Sequence, residues 1–132
     1  MIDPSLALQA TVRARLVADL TTVPAGSIVS MAAKPELFPC VILRDGQTVY
    51  GDDFDSFSDR TFLDLHVWAD SDETVKRIAG EVRAALRSRP WNVEDHVCHA
   101  LTIASARYVT DPSGKGHGVL TVEAVLQARA AA

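Results

Sequence analysis

Between Arg60 and Leu86 the hydrophobic period of this chain changes from two residues to 3.6 within a few positions, and no other feature constrains its folding as much. Along Thr61-Phe62-Leu63-Asp64-Leu65-His66-Val67-Trp68-Ala69, the residues Leu63, Leu65 and Val67 share one face of an extended strand, and Phe62, Asp64, His66 and Trp68 share the other. Asp70-Ser71-Asp72-Glu73 then supplies carboxylates where the free N–H groups of a helix start need acceptors, with Glu73 three residues after Asp70 as in a capping box. Val75, Ile78, Ala79, Val82, Ala85 and Leu86 follow at helical spacing. The pattern predicts a strand that feeds a helix, with one apolar stripe of the helix lying on a sheet. Ser88-Arg89-Pro90 ends the helix, because proline supplies no backbone donor.

The flanking segments extend this unit. Asp3-Pro4 offers an N-cap and a first-turn proline, and Leu8, Val12, Leu16 and Leu20, widened by Leu6 and Val17, predict a helix from about residue 4 to 20. Ile28-Val29-Ser30-Met31 is long enough for a short strand, and the prolines of Lys34-Pro35-Glu36-Leu37-Phe38-Pro39 favour extended or turn conformations. Cys40-Val41-Ile42-Leu43-Arg44 is continuously apolar, as in a strand buried on both faces. From Asp45 to Asp59 there is no Lys or Arg, and Tyr50, Phe54 and Phe57 stand among five aspartates, which predicts a long connection or extended hairpin tip. Ala100 to Tyr108 and Val119 to Leu126 alternate around the turn signal Asp111-Pro112-Ser113-Gly114-Lys115-Gly116, an antiparallel hairpin. The expected fold class is α+β: a mainly antiparallel sheet with two helices on one face, in the order α-β-β-β-α-β-β.

Composition narrows the function. The 132 residues, 48% hydrophobic and 23% charged, suit one domain with one core. A net charge of −4 gives no general attraction to nucleic acid or anionic lipid, and no apolar run approaches the roughly 20 residues of a membrane span, so a soluble, unexported product is expected. Cys40 and Cys98 are expected as free thiols, Cys40 buried.

No motif carries recognisable catalysis. His96, Cys98 and His99 lie close in sequence but lack the second cluster that a zinc site requires, and His66 lacks an evident orienting partner. No serine stands in G-x-S-x-G, and Gly114-Lys115-Gly116-His117-Gly118 lacks phosphate-loop spacing. Catalytic residues, cofactors and metal ligands are therefore expected to be none. The acidic connection is open to three readings: a solvated loop, a calcium loop without the usual glycine and glutamate, or a docking arm anchored by Phe54 and Phe57.

The ordered set of a long first helix, Phe38-Pro39-Cys40-Val41, a long loop, Leu65-His66-Val67-Trp68, a helix carrying Ala79, Val82 and Leu86, and Arg107, Asp111, Gly116 and His117 before a last strand resembles the tail-completion, or tail-terminator, proteins of long-tailed bacteriophages and related gene transfer agents. The resemblance covers nearly the whole chain. It implies a non-enzymatic subunit of a hexameric ring, a homo-oligomer that caps the tail tube protein and meets the head-side connector, or stopper, protein. DNA would pass its lumen without sequence-specific binding, and no membrane would be involved. Its place would be the head–tail junction of a virion or phage-like particle, after assembly in the host cytoplasm. Asp52, Asp53, Phe54, Asp55 and Phe57 in the arm, with Asp111 and Lys115 in the last turn, are the expected partner-interface residues. Two alternatives remain: a small α+β enzyme or ligand-binding domain using His66 or the His96, Cys98 and His99 segment, and a dimeric regulatory interaction domain.

Overall fold

The computed structural model describes residues 2–30, 37–51 and 57–129. Helix α1 (Pro4–Asp19) leads through a 3₁₀ turn (Ala25–Ser27) into strand β1 (Ile28–Ser30), followed by β2 (Cys40–Val49), β3 (Ser58–Ala69), α2 (Asp72–Arg87), β4 (His96–Thr110) and β5 (Gly116–Ala128). The sheet order is β1-β2-β3-β5-β4, with β1 parallel to β2 and every other pairing antiparallel. This is the α+β architecture and element order expected from the sequence.

The strand faces follow the alternation. Leu63, Leu65 and Val67 on β3 and Leu120, Val122, Ala124 and Leu126 on β5 are buried against the helices, where they meet Val75, Ile78, Ala79, Val82, Ala85 and Leu86 of α2. Cys40, Val41, Ile42 and Leu43 are all buried, as their continuous hydrophobicity requires. Both cysteines are free.

Several boundaries differ from the sequence expectations for identifiable reasons. The N-cap of α2 is Ser71, whose hydroxyl accepts from Thr74 N at 3.2 Å, and not Asp70, which is drawn away to Lys115 Nζ at 2.7 Å. In α1, Asp3 caps as expected, accepting from Ser5 N at 2.8 Å, and Leu8, Val12, Leu16 and Leu20 are buried as expected, but Leu6 is 56% exposed and the stripe is widened by Pro4, Ala7 and Arg15. Strand β2 continues to Val49, so the connection to β3 is shorter than the Asp45 to Asp59 span. Its hydroxyls help seat α1: Ser5 Oγ lies 2.6 Å from Thr48 Oγ1, which lies 3.4 Å from Thr61 Oγ1.

Glu81 on α2 ties the end of α1 to the helix pair. Its carboxylate accepts from Thr21 N at 2.8 Å, Thr21 Oγ1 at 2.9 Å and Thr22 N at 3.2 Å, and also from the Thr22 hydroxyl. Burial acts to raise its pKa, but the hydrogen bonds from Thr22 and Thr21 outweigh it and hold the group below its ordinary value. A depressed folded-state pKa contributes stability above the unfolded value and loses it as pH falls through the folded one. Glu81→Ala is therefore expected to cost on the order of 1 kcal/mol at pH 7. The gap from wild type should close as denaturation is followed down through the acidic range of carboxylates.

Candidate functional site

Both helices cover one face of the sheet, and no described helix packs on the other, the open face, where Cys40, Ile42 and Val119 are nonetheless buried by their neighbours in the sheet. Cross-strand register fixes what lies there: Asp64 pairs with Arg44 on one side and Thr121 on the other, His66 with Ile42 and Val119, and Trp68 with Cys40 and His117. His117 stacks on Trp68 with ring centroids 3.8 Å apart and planes at 9°, and its Nε2 lies 3.0 Å from His66 Nδ1. Burial lowers the pKa of both imidazoles, helped for His66 by the Arg44 charge and for His117 by His66, so both rings are neutral at physiological pH. Thr121 Oγ1 donates to Asp64 Oδ1 at 2.8 Å, and Arg60 forks onto Glu123 Oε1 at 3.0 and 2.6 Å further along the same face.

The His96, Cys98 and His99 segment does not converge. His96 is buried, with Nδ1 donating to Glu94 O at 2.6 Å, and Cys98 packs partly against the core. His99 sits where the β4–β5 register shifts and reaches Gln127 Oε1 at 2.8 Å. The depressions beside α1 and α2, one lined by Arg15, Arg89 and Trp91 and the other by Asp19, Thr21 and Glu81, contain no histidine or cysteine.

Of the expected interface residues, Asp52, Asp53, Phe54 and Asp55 lie outside the described residues. Phe57 precedes β3 with a positive φ of 49° and is 57% exposed, beside exposed Val49 and Tyr50. Asp111 builds the last turn, accepting from Ser113 N at 2.9 Å and from the Ser113 hydroxyl, which lowers its pKa. Lys115 is held by Asp70 and sits 5.2 Å from the Phe38 ring centroid. The structure does not bring these two groups together. Ser58 pairs with Gln127 and Ala69 with Gly116, so Phe57 and the Asp111–Lys115 turn flank opposite ends of the 12-residue β3, about 36 Å apart at 3.3 Å per residue.

The tail completion protein gp17 family matches residues 10–127. The chain belongs to this family. Two solved structures share its fold: a chain of the virion of a native gene transfer agent particle, with TM-score 0.80 and 18% identity over 96% of this chain and 98% of that one, and the bacteriophage SPP1 gp17 protein, with TM-score 0.59 and 24% identity over 91% and 88%. No curated protein matches significantly. The family is one of structural phage tail proteins.

Sequence reasoning missed His117 and Asp45 as members of one surface. His117 was legible as part of a glycine-rich turn and of the family likeness, but its contact with His66 spans 51 positions of sequence. Asp45-Gly46 was the available signal for Asp45, since an Asp-Gly pair inside an apolar strand marks a bulge as readily as a turn.

Proposed function

We propose that the chain is a ring-forming tail terminator, copies of which close on the head-side end of a finished tail tube while the opposite surface of the ring receives the head-side connector. Family membership supports the structural role. The observation that carries the two-sided reading is the separation of the two hairpin ends along the sheet, which gives one subunit two unlike surfaces. Unlike surfaces that mate at a fixed rotation generate a closed ring. The edge strand β4 adds a third element: Ala104 to Thr110 are all exposed, and an unpaired strand edge is a ready contact for a neighbour. Six copies, the number implied by the family resemblance, is the proposed stoichiometry.

In this reading the segment around Asp52, Asp53, Phe54, Asp55 and Phe57 docks on a basic, partly apolar surface, and the turn carrying Asp111 and Lys115 faces a different neighbour. The chain resides at the head–tail junction of a phage or gene-transfer-agent particle. A net charge of −4 suits a passage through which DNA moves without adhering. Lumen-facing Lys and Arg side chains in an assembled ring would contradict that last point.

Deleting 51–58 leaves Tyr50 and Asp59 between the paired residues Val49 and Arg60, a two-residue loop of the commonest hairpin length. In a producing host that lacks the wild-type gene, heads and tails should accumulate unjoined. The full chain should restore joined particles and the deletion variant, with Asn-Gly in place of Tyr50-Asp59, should not. Joined particles from the deletion variant would exclude the docking arm, and joined particles without any copy of the gene would exclude the terminator role.

A further inference from the structure

We propose that Asp45, Asp64 and His66 form a binding site for one divalent first-row transition-metal ion, for which zinc is the probe, on the open face of the sheet. One ligand atom from each of these residues lies within 4.8 Å of the other two. Strand register alone accounts for Asp64 and His66, two residues apart on β3. Asp45 is there because of a bulge. The β2–β3 register skips from Arg44 to Gly46, and Asp45 has a φ of 50°, a conformation uncommon outside glycine. In an unbroken strand the residue after Arg44 would turn toward the helices. The extra residue instead re-aims the Asp45 carboxylate over the open face, where its Oδ2 lies 3.8 Å from His66 Nε2.

His66 supplies the second, independent observation. Its side chain is only 17% exposed, and its Nε2 is sealed from solvent with no hydrogen-bond partner among the described residues. A buried orphan nitrogen in a folded protein calls for an explanation, and an ion is one of the few available. The rest of the ring is arranged as a metal ligand requires. Nδ1 faces His117 Nε2 at 3.0 Å, and the tautomer that donates Nδ1–H to His117 leaves Nε2 with a free lone pair 3.8 Å from Asp45 Oδ2. Stacking on Trp68 fixes His117 in turn, and the Thr121 hydroxyl fixes Asp64.

Ligand atoms held at about 2.1 Å by one tetrahedral zinc ion stand about 3.4 Å apart, so the site must contract by on the order of 1 Å. Asp45, 61% exposed, can make that movement. One imidazole with two carboxylates favours a borderline ion such as zinc over magnesium, which keeps its waters and demands an oxygen octahedron. Arg44 opposes binding: its Nε is 3.2 Å from Asp45 Oδ2, and it competes with the ion for that carboxylate. Bound metal would clamp the bulge of β2 to β3 at the root of the hairpin that carries Phe57. The site does not depend on ring assembly, and its test uses the isolated full-length chain.

Calorimetric titration of the metal-free chain with zinc, with magnesium as the comparison, should show one zinc ion per chain and no comparable magnesium binding. Thermal stability should rise with zinc alone. Asp45→Asn at an exposed position and His66→Gln on the open face should each weaken zinc binding by about tenfold or more. Arg44→Gln should tighten it, and His99→Gln, on β4 and bonded to Gln127, should leave it unchanged. Absence of stoichiometric zinc binding, zinc binding that survives Asp45→Asn, or loss of binding in His99→Gln would each overturn the proposal. None of these outcomes bears on the ring.

Discussion

Arg15→Ala is expected to lower the stability of the fold by about 3 kcal/mol, roughly a 10 °C fall in melting temperature for a domain of this size. Arg15 is a buried cation in the middle of the apolar stripe of α1. Its guanidinium donates to Arg89 O at 2.9 Å and Pro90 O at 2.7 Å and approaches Ala85 O at 3.5 Å, so one side chain serves the last turn of α2 and the two carbonyls just past its end. Positive charge at a helix C-terminus is favourable, and here it is desolvated, which strengthens each bond. The same guanidinium lies 3.4 Å from the centroid of the Trp91 ring. Alanine would take this donor from the Arg89 and Pro90 carbonyls and leave Trp91 without its stacking partner, while Ala85 O keeps the bonds from Ser88. Lysine keeps the charge but not the fork, so Arg15→Lys should recover only part of the loss. Chemical denaturation of the three proteins measures this ordering, and an Arg15→Ala chain as stable as wild type would contradict it.

The second large effect is expected at Gly116, where alanine should cost about 2 to 3 kcal/mol by overpacking. A Cβ placed there would stand 2.5 Å from Ser71 O, 2.7 Å from Ser71 C and 2.7 Å from Val75 Cγ2. Two of those atoms are backbone at the start of α2, so the helix itself would have to move off the strand. Gly114, two residues earlier, has open space around it and a φ of 85°. Gly114→Ala should therefore cost only about 1 to 2 kcal/mol, through backbone conformation. Denaturation curves for the pair separate the two causes, because Gly114→Asn should be tolerated better than Gly114→Ala, whereas Gly116→Asn should be worse than Gly116→Ala.

These positions also show where the sequence was readable. The unit β3–α2 was legible because both of its periods face the same core, and every residue of the stripe from Val75 to Leu86 is buried as its spacing demands. Arg15 was hidden because a charged residue inside a helical stripe looks like an interruption until the carbonyl end of a second helix, about 70 positions away, is seen to face it. Strand β4 starts at His96, four residues before the alternation read from Ala100 to Tyr108, because a register shift between Cys98 and Ala100 interrupts the two-residue period there. Asp70 was misassigned as the cap because its ion pair with Lys115 depends on tertiary placement of the last turn. The open-face cluster was the least legible part. It combines a bulge in β2 with a contact between His66 and His117, and neither is encoded in local spacing. The proposed assembly surfaces carry no chemical motif, and their signals in the sequence were the aspartates and aromatics of the 45–59 connection and the ordered likeness to a tail family.

The central claim is that this chain works by geometry, as one segment of a ring seated on a tube. Electron microscopy of the purified full-length chain mixed with isolated tail tubes of its own particle tests it most directly. The account predicts a closed ring of density, with rotational symmetry, on one end of each tube and on no other site. Tubes that stay bare at both ends while the chain remains monomeric at all concentrations would contradict it.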